Sequence, residues 1–274
     1  MPLLAALTVI ALQSDYKLVF SDEFDKPGRV DGTKWTYEMG FVRNRELQWY
    51  QRSNVSVADG LCVIEGRHEK RLNPNYDPKI SGVPVGGAAR PQEDWRRSRQ
   101  YAEYTSGSIK TKGLHSWLYG RFEIRARLNP IQGLWPAIWF VGDTKSWPSN
   151  GEIDLMEFYQ QKLHANTAYG EGGGSWDSVA VPIKEFLDKD PQWGSKFHIW
   201  RMDWDAKAIK LYVDDRLMNE TDITNTKNKD GFNPFHQKQH MILNLAIGST
   251  GGDPSKVPFP ARFEVDYVRV YQKK

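Results

Sequence analysis

Residues 151–158 read Gly-Glu-Ile-Asp-Leu-Met-Glu-Phe and bring three carboxylates, Glu152, Asp154 and Glu157, within six positions. Two carboxyl groups flanking a scissile bond, one protonated and one ionised, are what glycoside hydrolysis requires. Its transition state is cationic at the sugar carbon, and its leaving oxygen needs a proton. Like charges held together disfavour further ionisation, so one Glu keeps its proton near neutral pH while another stays anionic. The competing reading is a Ca²⁺ site, because hard cations take several oxygen ligands. Two-residue spacing on a strand suits that less well than a loop, and the sequence has no Asp-rich loop with a central Gly.

The β-branched and aromatic flanks of the motif predict a strand, in which side chains alternate faces. Glu152 and Asp154 then share one face. Glu157, five positions after Glu152, would point into the core, where an unpaired carboxylate is costly. One extra residue in a β-bulge at Leu155 and Met156 returns it to the face of the other two.

The elements that must hold this strand are also strands. Residues 17–20, 46–50, 61–67, 106–112, 119–128, 134–141, 164–169, 198–204, 209–213, 240–247 and 263–271 fit short strands separated by turn residues. They predict an all-β fold of two stacked antiparallel sheets. Strict alternation over 120–127 turns Phe122, Ile124 and Ala126 inward. Val213-Asp214-Asp215-Arg216 reads as a hairpin turn, and 182–190 as a short helix with Pro near its start. Two stretches read as loops. One is a polar insertion over 68–104 with Arg96, Arg97 and Arg99, expected to wall a cleft; the other is the Gly-rich run 169–176, expected to rim it.

With 274 residues, 39% of them hydrophobic, the chain suffices for one all-β domain over 15–274. Lys+Arg exceed Asp+Glu by three, 37 against 34, which gives no pull toward nucleic acid. The single cysteine, Cys62, excludes an intramolecular disulfide and reads as a small buried hydrophobe. The apolar run at 3–12 is too short to span a membrane; residues 1–14 read as an export-signal remnant or an N-terminal extension that packs on the body. The export reading makes the protein secreted, periplasmic or cell-surface, and a monomer is expected.

Eleven tryptophans suit a sugar ligand, since an indole face stacks on the C–H face of a pyranose while its N–H reaches a hydroxyl. Trp135, Trp139 and Trp147 lie beside the acids and are expected in the cleft; Trp200 and Trp204 are expected in the core. Asn44, Arg45 and Glu46, at a strand entrance, offer polar groups to sugar hydroxyls.

The acidic motif, Gly-Leu-Trp-Pro-Ala-Ile-Trp at 133–139, Arg-Glu-Leu-Gln-Trp-Tyr at 45–50, Tyr-Thr-Ser-Gly at 104–107 and Val-Asp-Tyr-Val-Arg-Val-Tyr at 265–271 together resemble glycoside hydrolase family 16, in its laminarinase-like, β-bulged branch. The resemblance covers about residues 20–271. It implies a β-jelly-roll sandwich whose concave sheet forms an open cleft, and retaining, endo-acting hydrolysis of a β-linked polysaccharide without a catalytic cofactor. By position, Glu152 would be the nucleophile, Glu157 the acid/base and Asp154 the residue that tunes the nucleophile. It also implies a structural Ca²⁺ held by Glu23, the carbonyl of Gly60 and Asp266. Members acting on β-1,3-glucan carry two histidines on the strand after the catalytic one; here His164 and Asn166 are followed by Ala168 where the second is expected. The substrate reading is therefore β-1,3- or mixed β-1,3/1,4-glucan first. Galactan-type chains (agar, porphyran, poly-lactosamine) come second, and the arginines at 96–99 either suit an anionic galactan or are a solvated run. A non-catalytic lectin-like module is the remaining class.

Overall fold

The structure is a computed structural model that describes residues 15–80 and 94–274. The segment read as an export signal lies outside the described residues. In chain order the strands begin with β1 (Tyr16–Asp22), β2 (Thr36–Tyr37), β3 (Gln48–Tyr50), β4 (Val55–Ala58), β5 (Leu61–Leu72) and β6 (Tyr101–Ser106). Next come β7 (Ser108–Lys110), β8 (Gly120–Arg127), β9 (Leu134–Gly142), β10 (Glu152–Tyr159) and β11 (Lys162–Tyr169). The last are β12 (Ser175–Pro182), β13 (His198–Trp204), β14 (Ala208–Val213), β15 (Arg216–Asp222), β16 (Gln239–Ile247) and β17 (Ala261–Lys273).

These strands form two sheets. The larger runs β15-β14-β13-β8-β17-β5-β6-β3, with β1 on β17 and β4 on β5; the smaller runs β12-β11-β10-β9-β16-β7-β2. The pairs are antiparallel except β3 with β6, which is parallel. The core lies between the sheets because each contributes one apolar face. On β8, Phe122, Ile124 and Ala126 are fully buried, while Arg121, Arg125 and Arg127 turn outward to Asp203, Asp266 and Glu264. Phe122 meets Phe140 of the opposite sheet edge-on at 5.0 Å. A buried side chain of this size contributes about 1.5–3 kcal/mol. Trp200 and Trp204 belong to this core, and the Cys62 thiol is buried there, its pKa pushed up by burial.

Four expectations change. The stretch 106–112 is two strands in different sheets, separated at Gly107, where a Cβ would stand 2.4 Å from Val55 and 3.0 Å from the Asn54 carbonyl. The insertion is narrower than its polar sequence suggests, because β5 continues to Leu72, with His68, Arg71 and Leu72 paired to β6 across an irregularity at Glu69 and Lys70. Ser175 and Trp176 are strand residues of β12 rather than loop. The helix α1 (Lys184–Leu187) is a single turn, with Pro182 closing β12 ahead of it.

Candidate active site

The smaller sheet carries the acids, and its register shows how. In antiparallel pairs, residues opposite one another share a face. Glu152 lies between Val141 and Ala168, and Asp154 between Trp139 and Asn166; the next row is Ala137, Glu157 and His164. Between the last two rows the register shifts. Against β11, Leu155 and Met156 stand where the partner supplies only Ala165; against β9, Met156 pairs with Ile138 and Leu155 is the surplus residue. This is the bulge that the alternation requires. Ile153, Leu155, Met156 and Phe158 are all buried in the core, and all three acids line one cavity of about 540 Å³. The motif thus keeps its apolar residues inside at the cost of one irregularity.

The acids differ in their surroundings. Glu157 accepts a hydrogen bond from Trp135 Nε1 at 2.8 Å on Oε1. Burial pushes it up to about 8, and the charge of Glu152 adds to the rise while the indole opposes it. Burial also raises Glu152, but only to about 7, because the cation of Arg43 and the Trp147 side chain favour its ionised form. Asp154, 2% exposed, is pushed well above the carboxylate range by burial and by both neighbouring glutamates; Asn166 Nδ2, 3.4 Å from Oδ2, is its donor. Mutual electrostatic influence means that Glu152 and Glu157 titrate as a pair.

The expected binding residues divide. Asn44, Glu46, Trp135, Trp139 and Trp147 line the cavity. Arg45, His164 and Asn166 do not. Asn44 and Arg45 both have positive φ, 53° and 50°, and this double left-handed turn buries Arg45 and presents Arg43 to the cleft instead. His164 is 9% exposed and stacks at 3.7 Å, nearly parallel, on Tyr159, so it supports the floor beside Glu157. Asn166, beside Asp154 in its row, reaches the site only through the hydrogen bond to that residue. Arg43 and Asn244, which the sequence did not single out, line the cavity, as does Trp176 from the run expected to rim it.

Arg43 lies over the Trp139 ring at 4.9 Å and is ion-paired to the buried Glu38. A buried relay holds the same indole from its Nε1 edge. Trp139 Nε1 donates to Asn244 at 2.7 Å, Asn244 donates to the Tyr50 hydroxyl at 3.1 Å, and Tyr50 and Gln48 donate to Glu46 at 3.3 and 2.6 Å. The relay locks the indole that faces Asp154, an example of polar groups positioning an aromatic surface.

The arginines of the insertion do not enter the cleft. Arg99 donates to the Glu46 carbonyl at 2.7 Å and lies 3.8 Å over Phe41; Arg96 bonds the Val42 carbonyl and Arg97 pairs with Asp77. Arg96 and Arg99 fasten the insertion to the segment 41–46, while Arg97 ties it to itself. Neither of the expected readings, anion recognition or a solvated run, describes Arg99. The residues expected to hold Ca²⁺ are also otherwise engaged. Arg269 bonds Glu23 through two nitrogens at 2.9 and 2.7 Å, and Arg125 pairs with Asp266. Gly60 is in the turn between β4 and β5. Two carboxylates already neutralised by guanidinium groups do not fit a cation site. Among the described residues no group of three or more acidic, His or Cys side chains could hold a metal.

A two-sheet β-sandwich with a tryptophan-lined cleft and a bulged strand of three buried carboxyls defines the class of β-sandwich glycoside hydrolases. The chain belongs to glycosyl hydrolases family 16, whose profile matches residues 51–269. The β-glucanase of Rhodothermus marinus is 36% identical over 94% of this chain and 85% of its own length. A solved structure from work on endo-acting O-glycanases, with which prominent members of the human gut microbiota initiate mucin breakdown, gives a TM-score of 0.81 at 33% identity, covering 95% of this chain and 92% of that one. The laminarinase from Rhodothermus marinus gives 0.71 at 34% identity, with 94% and 98% covered.

Proposed function

We propose that this glycoside hydrolase cleaves internal bonds of a β-1,3- or mixed β-1,3/1,4-glucan by double displacement. The neutral carboxyl of Glu157 gives its proton to the glycosidic oxygen as the carboxylate of Glu152 attacks the anomeric carbon, so the C–O bond breaks and a glycosyl ester forms. A water then loses its proton to Glu157 and attacks the same carbon, releasing Glu152 and giving a product of the original configuration. Asp154, held neutral by burial and its neighbours, donates a hydrogen bond to the nucleophile and moderates its charge. The observation that carries this reading is the bulge: it sets both glutamates on one face, the one flanked by Arg43 more readily ionised than the one under Trp135.

The β-1,3-glucan preference rests on the kinship with β-glucanase and laminarinase. A second reading, cleavage of a galactan-type chain such as poly-lactosamine, is favoured by Ala168 opposite Glu152, where a histidine would accompany laminarin specificity, and by the TM-score of 0.81 to the O-glycanase structure. A product profile on laminarin, lichenan, agarose, porphyran and poly-lactosamine decides between them. Oligosaccharides from the two glucans alone support the first reading, and products from poly-lactosamine alone establish the second. Binding without products throughout would leave a lectin. Because polymeric glycans are met outside the membrane, the reading carries with it a secreted, periplasmic or cell-surface location; fractionation tests it. A monomer suits an open cleft complete within one chain, and sedimentation tests that. No helix among the described residues is long and apolar enough to cross a membrane.

A further inference from the structure

The cleft continues past the catalytic strand onto the sheet edge. Beyond Glu152 in its row stand Ala168 on β11 and Trp176 on the edge strand β12; the next two rows end in Ser178 and Ala180. Ala168 is fully buried, while Ser178 and Ala180 are exposed and small, so the β12 edge is flat on this face apart from one indole. Trp176 is 48% exposed on an edge where its neighbours on the other face, Asp177 and Val179, are half-buried. Trp147, 50% exposed, comes from the loop before β10, and its ring centroid lies 6.3 Å from that of Trp176, at 56°. The two rings are therefore not stacked face to face. They form a corner that leaves indole surface uncovered, and both line the cavity with the acids. An exposed pair of the largest apolar side chains, at an edge strand whose next residues on this face are only Ser178 and Ala180, needs a ligand with an apolar face to cover it.

We propose that Trp176, with Trp147, forms a sugar subsite at the β12 edge that takes a hexopyranose of the glycan beyond the cleaved bond, making Trp176 a specificity-determining residue. The occupant stacks the C–H face of its ring on one indole while the second closes the corner. β12 lies two strand spacings, roughly 10 Å, from β10. The subsite therefore engages only chains that extend past the catalytic strand β10 along the row of Glu152. This rests on the hydrolytic reading above and goes further, assigning recognition of chain length to one side chain outside the acidic motif.

The test pairs a long with a short substrate and adds a binding arm independent of turnover. Trp176→Ala should lower kcat/KM on hexasaccharides about ten-fold or more, chiefly through KM, while an aryl monoglycoside, too short to reach from β10 to β12, changes less than two-fold. Trp176→Tyr should recover most of the loss. In the Glu152→Gln background, titration with laminarihexaose and with a poly-lactosamine hexasaccharide, followed by tryptophan fluorescence, should show the same weakening for whichever probe binds. Equal losses on long and short substrates would assign Trp176 a merely structural role. Undiminished hexasaccharide binding in Trp176→Ala, or no binding of either probe to the parent protein, overturns the subsite. Binding that depends on Trp176 in a protein without turnover would retain the subsite and reject the hydrolytic reading instead.

Discussion

The indole Nε1 of Trp135 stands 2.8 Å from Oε1 of Glu157, joining side chains of the adjacent strands β9 and β10 directly. A donor to a carboxylate stabilises its ionised form, so this bond limits the rise that burial imposes on Glu157. Trp135→Phe should therefore move the basic limb of kcat/KM to higher pH, because the proton is then held more tightly. The pH–rate profile of the parent enzyme should rise through about 7 with ionisation of Glu152 and fall through about 8 as Glu157 loses its proton. A basic limb that stays in place in Trp135→Phe would detach Glu157 from it.

Arg43 acts on the other limb. Burial raises Glu152 and the guanidinium holds that rise in check. Arg43→Gln should shift the acid limb upward, so that activity at pH 6 falls more than activity at pH 8. It also removes a cation from Glu38, which keeps Lys110 at 3.3 Å and Ser108 at 2.8 Å. The loss should be roughly 3 kcal/mol of stability, read from denaturant titration. An unmoved acid limb in a folded variant would show that Arg43 does not tune the nucleophile.

The buried acids of the cleft strain the fold. A carboxyl whose folded pKa lies above its unfolded value binds more protons when native, so stability falls as pH rises from the unfolded value near 4.5 toward the folded value near 8 for Glu157. Glu157→Gln removes that penalty. Its Tm should exceed that of the parent above pH 8 by several degrees and match it near pH 5; a Tm below the parent's at both pH values would contradict the sign.

Glu23 and Asp266 are held by Arg269 and Arg125 rather than poised for a cation. Treatment with EDTA, and then excess Ca²⁺, should leave Tm within about 1 °C. A Ca²⁺-dependent rise of several degrees would mean that these arginines give way to metal.

Much of this was readable before any coordinates. Alternation alone required a bulge at Leu155 and Met156, because the core cannot take an unpaired Glu157. The spacing of Phe122, Ile124 and Ala126 gave their inward face. What escaped depends on contacts between distant segments. The polar run 68–72 looks like loop, yet β6 supplies partners to His68, Arg71 and Leu72 that a single strand cannot announce. Arg45 looks suited to the cleft, but two successive left-handed residues exchange it for Arg43. Trp176 follows a glycine run and reads as loop; pairing with Ala168 makes it part of the sheet. Arg99 gave no sign that it would cap Phe41 and bond the Glu46 carbonyl, since that requires the insertion to fold back across about fifty residues of chain.

The central claim is that Glu152 and Glu157, brought to one face by the bulge, act as nucleophile and acid/base in a double displacement. It is tested most directly by proton NMR of the reducing end released in the first minutes of hydrolysis of the substrate that the product profile identifies. The account predicts that the β anomer appears first and the α anomer grows in only by mutarotation. Initial release of the α anomer would mean a single displacement by water and would contradict it.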